Sequence, residues 1–211
     1  MVKLYITRHG ETQWNREKRM QGWKDSDLTP AGEEDARALA QVLKRVSFEA
    51  VYSSPIGRAR KTAELLVDQA PIILEEDLRE IGMGDWEGRT QEEVRAADPE
   101  RFHTFWNKPH VYETETGETF NQVMDRVESF LKKVQVHQGT ILVVTHSIFI
   151  KALLAYVKEL PLDKLWSPPF IEATSLTVIE GAGGSMKLWW KEILRIKSKK
   201  IETFYRLNRI S

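Results

Sequence analysis

The 211-residue chain contains no cysteine. That excludes disulfides, thiolate catalysis and cysteine-ligated metal, and it permits a reducing compartment. No apolar stretch is long enough to span a bilayer. The opening Met-Val-Lys-Leu-Tyr-Ile-Thr-Arg-His carries no cleavable leader signature. The expected location is therefore cytoplasmic, with no membrane partner. Net charge is also missing: 31 Lys and Arg balance 31 Asp and Glu, so whole-molecule electrostatics select no partner. Repeats and low-complexity tracts are absent. The length suits one domain, 1–211, rather than two.

The charge that is present is unevenly placed. Between Lys187 and Ser211 lie eight basic residues (Lys187, Lys191, Arg195, Lys197, Lys199, Lys200, Arg206, Arg209) against Glu192 and Glu202. A basic run of this kind can contact nucleic acid, but a solvated terminal extension is the preferred reading.

Strands and helices alternate along the chain. Val2–Thr7 is a short β-rich run. Thr29 and Pro30 read as the cap and first position of a helix that carries Ala36, Leu39, Ala40, Leu43 and Val46 on one face. Phe48–Ser53 reads as a strand, Arg58–Val67 as a helix and Pro71–Leu74 as an edge strand. Residues 78–90 are glycine-punctuated and irregular. Residues 89–117 read as a lid-like insertion of helix and loop. A long helix follows Thr119. Ile141-Leu142-Val143-Val144 is an unbroken apolar run, as expected of a strand covered on both faces. A helix spans about Ser147–Lys158, and Ser175–Glu180 is a last clear strand. Beyond it Met186, Leu188 and Trp190 alternate weakly, and mobility is expected after about residue 190. The alternation predicts an α/β fold, a three-layer α/β/α sandwich with a mostly parallel central sheet. The strand order is left open.

Two segments look alike chemically. Val2–Thr7 runs into Arg8-His9-Gly10, and Ile141–Thr145 runs into His146-Ser147. A histidine just past the C-terminal end of a buried strand stands on a rigid support at the crevice of an open sheet. Arg58 opens a helix after Ser53-Ser54-Pro55, where free backbone N–H groups favour an anion. Two histidines and two arginines at one sheet edge would make a site for a phosphate dianion, whose oxygens match guanidinium forks.

The wording around these residues resembles a known family. Leu4-Tyr5-Ile6-Thr7-Arg8-His9-Gly10-Glu11-Thr12, with Trp14-Asn15, is similar to the signature of the histidine phosphatase superfamily in its phosphoglycerate-mutase-like branch. The likeness continues in order through Gln21-Gly22, Asp27-Leu28-Thr29, Ser53-Ser54-Pro55 with Arg58-Ala59, Leu78-Arg79-Glu80-Ile81, Trp86-Glu87-Gly88, Gly117-Glu118-Thr119-Phe120 and Val143-Val144-Thr145-His146. It covers roughly residues 2–180 and is nearest to the compact bacterial broad-specificity phosphatases, with which Asp163–Pro169 also agrees. Family mutases carry extra length between the Trp-Glu-Gly and Gly-Glu-Thr segments, and only residues 89–116 separate them here.

The resemblance implies a phosphomonoester hydrolase acting through a phosphohistidine on His9, with no metal and no cofactor. It implies that Arg8 and Arg58 bind the phosphoryl oxygens, that His146 donates to them, and that Glu80 is the general acid. By the same resemblance Glu80 then takes a proton from the attacking water, and that double duty asks for a carboxyl with a raised pKa. Glu87 competes on chemistry alone, but Glu80 matches the motif. Glu11 is expected to be a supporting carboxylate. Asn15, Gln21 and Gly22 are expected to line the substrate site, with Trp106 and Tyr156 among several aromatics (Trp14, Trp23, Phe105, Trp166) as candidate pocket walls. His103 and His110 match no catalytic position. The partners implied are small-molecule phosphomonoesters, and a homodimer is compatible with the sequence. A phosphoglycerate mutase and a narrow phosphatase, such as a phosphoserine phosphatase, are the rival readings. The chain departs from the pattern at Trp189–Lys197 and in the divergent basic tail, about 187–211, which puts the last strand and any C-terminal dimer contact in doubt.

Overall fold

The computed structural model describes the backbone of residues 2–181, 188–197 and 200–206, and the side chains of residues 2–181. Strand β1 (Val2–Arg8) runs beside β4 (Thr140–Thr145), which in turn pairs with β2 (Ala50–Ser53) and through it with β3 (Ile72–Leu74). These four strands are parallel to their neighbours. β5 (Leu176–Gly181) lies antiparallel on the other side of β1, so the sheet is mostly parallel over five strands. β6 (Leu188–Lys197) and β7 (Lys200–Arg206) extend it antiparallel beyond β5. These last two strands occupy the stretch for which the sequence suggests no firm element. Lys187, Lys199 and Arg209 of the basic run, and Met186, lie outside the described residues, as do the side chains on which the mobility expectation rests.

Alternation along the strands builds two cores. Leu4, Ile6, Ile141, Val143 and Ile179 point to one face. Leu142, Val144, Leu176 and Val178 point to the other. On the second face, α2 (Pro30–Leu43) contributes Leu39 and Leu43, and α3 (Gly57–Leu66) contributes Ala59, Ala63 and Leu66. On the first face, α6 (Phe120–Val134) and α7 (Ser147–Val157) pack against the sheet. This is the expected three-layer sandwich, and it explains the unbroken apolar run of β4: neither face meets water.

The helices begin where their caps allow. Thr29 Oγ1 accepts the Gly32 N–H at 2.9 Å, with Pro30 in the first turn. Thr119 and Gln122 form a reciprocal capping box on α6, as Thr12 and Asn15 do on the four-residue α1 (Gln13–Arg16). Residues 89–117 contain α4 (Gln91–Ala97), α5 (Pro99–Asn107) and a 3-10 turn at Pro109–Val111. Their aromatics are tied to the body: Phe105 meets Trp86 at 5.5 Å and Phe120 at 5.0 Å between ring centroids. Trp106 meets Trp166 at 4.7 Å. Each such ring adds about 1.5–3 kcal/mol by leaving water, so this insertion is anchored by burial as well as by its chain ends.

Candidate active site

His9 and His146 follow directly on the paired ends of β1 and β4, where Arg8 stands opposite Thr145. The His9 N–H donates to Thr145 O at 3.0 Å, and the two imidazole centroids lie 5.1 Å apart. Both rings are buried, His9 at 2% and His146 at 0% exposure.

The hydrogen bonds of His9 settle its tautomer. Nδ1 sits 2.7 Å from Gly10 O. A carbonyl only accepts, so Nδ1 carries the proton and Nε2 keeps its lone pair. Arg58 Nε donates to that lone pair at 3.2 Å. Burial, then the nearby Arg58 and Arg8 charges, hold the ring well below the ordinary histidine pKa. His9 is thus neutral, with its Nε2 lone pair turned to the site.

His146 is arranged the other way round. Its Nε2 lies 2.8 Å from Ser54 Oγ. That oxygen also accepts the Ile56 N–H at 3.3 Å and keeps both a hydrogen and a second lone pair for Nε2. Nδ1 is buried and has no protein partner. Burial, with the nearby Arg58 and Arg8 charges, keeps this ring neutral as well.

Arg58 lies in the first turn of α3 at 2% exposure. Its Nη1 donates to Lys24 O at 2.8 Å and Asp25 Oδ1 at 3.2 Å, and its Nη2 to Gly22 O at 2.8 Å. Arg8 Nη1 donates to Ile171 O at 2.9 Å, while its Nε is buried without a partner. Burial lowers both guanidinium pKa values, which start so high that the groups stay charged. The Arg8 Nε–H donor and the His146 Nδ1 nitrogen are therefore buried and unpaired beside a neutral imidazole and two fixed cations. An oxyanion is the ligand that satisfies such a set.

The site opens into a cavity of about 350 Å³ that also includes Glu80 and Ser147 in its wall. The Glu80 carboxylate, 6% exposed, accepts from the backbone N–H of Ile81 at 3.1 Å and of Ile148 at 3.2 Å, and from Ser147 Oγ at 3.1 Å. The rest of the wall is largely apolar: Met20, Met83, Trp106, Trp166, Phe170 and Ile171. Among the described residues no cluster of three or more His, Asp or Glu could hold a metal ion.

A sequence profile of the histidine phosphatase superfamily, branch 1, matches residues 4–192. This chain belongs to that superfamily. Phosphoserine phosphatase 1 of Hydrogenobacter thermophilus is 36% identical over 171 residues, covering 79% of this chain and 81% of that protein. A probable phosphoglycerate mutase, GpmB of Escherichia coli, is 34% identical over 165 residues, covering 76% and 77%. The solved structure of Bacillus stearothermophilus YhfR is similar at 48% identity and a TM-score of 0.84, covering 88% of this chain and 94% of that one. This histidine phosphatase is a phosphomonoester hydrolase.

The structure brings Arg8, His9, Arg58 and Glu80 to one cavity with Asn15, Gln21, Gly22 and Trp106, and sets His146 against His9. Asn15 Oδ1 accepts the Thr12 N–H at 3.0 Å, which leaves its amide NH₂ end for a ligand, and the Gln21 amide lies 3.1 Å from the Thr12 hydroxyl. Gly22 has φ +54, and a Cβ there would meet Glu87 Oε1 at 2.2 Å, so no side chain fits. Tyr156 is misplaced by the sequence reading. It sits in the last turn of α7, about 15 Å along the helix from His146, packed against the core and away from the cavity wall. Phe105 is core, and Trp23 is 47% exposed, its Nε1 donating to Glu80 O at 2.9 Å. Glu87 accepts the N–H groups of Trp23 and Lys24 at 2.8 and 3.0 Å and so holds a loop. Glu11 accepts Thr29 Oγ1 at 2.9 Å, a supporting role as expected.

Four supporting residues of this histidine phosphatase escape sequence reasoning. Asp25 Oδ1 accepts the Arg58 N–H at 3.2 Å, so the start of α3 is capped by a distant carboxylate rather than open to an anion. Ser54 Oγ holds His146 Nε2 at 2.8 Å. Arg126 donates to Arg79 O at 2.8 Å and Glu80 O at 3.3 Å, pinning the strip that carries Glu80. Lys151 donates to Ser167 O and, at 3.2 Å, to Pro169 O, fastening the loop that bears Trp166 and Phe170; burial pulls its pKa down to about 8.

Proposed function

We propose that this chain hydrolyses a range of small phosphomonoesters, without metal, through a phosphohistidine on His9 Nε2. The observation that carries the reading is a lone pair at the buried His9 Nε2 beside the unpaired Arg8 Nε–H and the unpaired His146 Nδ1. In the first step the Nε2 lone pair bonds to phosphorus and the ester P–O bond breaks in line. Arg8, Arg58 and His146 hold the three equatorial oxygens, and the amides of Asn15 and Gln21 add donors. The Glu80 carboxyl gives its proton to the leaving alkoxide. In the second step water bonds to phosphorus, the N–P bond breaks, and the water proton passes to Glu80. The fixed cations take the charge-neutralising part that a metal plays elsewhere.

The apolar wall supports broad choice of alcohol, because desolvation rewards aryl and alkyl groups without ranking them finely. Residues 89–117 supply Gln91 and Trp106 to that wall. The likeness to a probable phosphoglycerate mutase favours a second reading, in which the phosphoenzyme waits for a phosphoglycerate acceptor. A metal-free panel of p-nitrophenyl phosphate, phosphoserine, sugar phosphates and 3-phosphoglycerate, with His9→Ala as control, tests both. Phosphate release from several esters is expected, lost in the variant. Release from phosphoserine alone would name a dedicated enzyme. Exchange between phosphoglycerates without release would move the assignment to mutase.

A further inference from the structure

Glu80 has one hydrogen-bonding neighbour unlike the others. The Ile81 N–H donates to Oε1 at 3.1 Å, and the Ile148 N–H to Oε1 at 3.2 Å and Oε2 at 3.3 Å. Ile148 lies in the first turn of α7, whose positive end also favours an anion. Arg8 and Arg58 add positive charge facing the same carboxylate. A backbone N–H can only donate. None of these fixed donors can therefore accept a proton from Glu80. Ser147 Oγ, 3.1 Å from Oε2, is different. A hydroxyl turns about its C–O bond and can donate or accept. Ser147 is half-buried in the cavity wall, and among the described residues Glu80 is its hydroxyl's one partner.

We infer that Ser147 is a positioning residue that lets Glu80 serve as acid and as base by reversing its hydrogen bond. The inference rests on the reading of Glu80 as the proton donor. Before the first step, the protonated Glu80 rests its Oε2 proton on Ser147 Oγ. As the ester P–O bond breaks and the His9 N–P bond forms, that proton goes to the alcohol oxygen. The Ser147 hydroxyl then turns to donate to the new carboxylate. In the second step the water proton arrives on Oε2 as the N–P bond breaks, and Ser147 turns back to accept. No further donor or acceptor is needed for the balance.

The test is the dependence of kcat/KM on leaving-group pKa, from p-nitrophenyl phosphate through less acidic phenols to glycerol phosphate. Ser147→Ala, Ser147→Thr and Glu80→Gln are compared with the parent. Help from an acid matters most for poor leaving groups. Glu80→Gln should lose on the order of 10²–10⁴-fold on the alkyl ester and far less on p-nitrophenyl phosphate. Ser147→Ala should lose roughly 10–100-fold on the alkyl ester, the scale of a hydrogen bond to a charged group, and only about 3-fold on the nitrophenyl ester. Ser147→Thr should restore the parent slope. A loss in Ser147→Ala that is uniform along the series, or no loss, with Glu80→Gln still steep, overturns the role of Ser147 alone. A flat series in Glu80→Gln overturns the acid reading beneath it.

Discussion

At the end of β1, His9 gives its Nδ1 proton to a carbonyl, and Nε2 is left as a base. At the end of β4, His146 is held at Nε2 by a serine hydroxyl, and Nδ1 is left without a partner. The two residues stand one step past paired backbone positions, in the same burial and near the same arginines. Placement therefore does not assign their roles. The partner behind each ring does, because in a neutral imidazole the bond at one nitrogen decides what the other can offer. One sheet edge thus presents two imidazoles held through different ring nitrogens, His9 through Nδ1 and His146 through Nε2.

The sharpest way to break this comparison is to remove the nucleophile. His9→Ala should lower kcat by on the order of 10⁴-fold or more, and no acid-labile phosphoenzyme should form with a labelled reactive ester. Label transferred to His146 in that variant would show the two ends to be interchangeable. His146→Ala should cost less, on the order of 10²–10³-fold, as for one lost oxyanion donor, with label still on His9. Ser54→Ala sharpens the comparison further: it frees the His146 tautomer while leaving the ring. About a tenfold loss of kcat/KM is expected, with ring ¹⁵N shifts showing a proton moved from Nδ1. Unchanged shifts would mean that Ser54 does not set the tautomer.

The smallest effect is on stability. Both folded rings are held neutral, whereas in the unfolded chain each takes up a proton near pH ~6.5. The unfolded state then binds more protons, so acid favours unfolding. Stability should be complete above about pH 6.5 and fall as pH drops below it, by up to about 1.4 kcal/mol per pH unit for each ring. Urea melts of the parent and of His9→Asn and His146→Asn should show a shallower acid slope in each variant. An equal slope would place the buried rings outside the titration.

The parts of this structure visible in the sequence are those whose cause is local. β4 shows as an apolar run because both of its faces are covered, and α2 and α6 show through caps and spacing. Arg8, His9 and His146 show because a strand leads straight into them. β6 and β7 did not show, because their pairing comes from β5 and from each other rather than from a strong alternation. Asp25 and Ser54 did not show for a similar reason: they act on Arg58 and His146, which reach them only through space. Tyr156 erred in the opposite sense. Its helix begins at the site, but ten positions along, Tyr156 is partly buried against the core and far from the cavity.

The pairing of β1 with β4 has a consequence in time. Residues 8 and 145 must meet before either histidine is placed, and helices α1 to α6 lie in the chain between them. Closing so long a loop is slow compared with forming those helices. On refolding, far-UV helical signal should return ahead of catalysis, and activity should recover only with the slowest structural phase. The site cannot work half-assembled, so recovered turnover is the marker that the β1–β4 contact has closed.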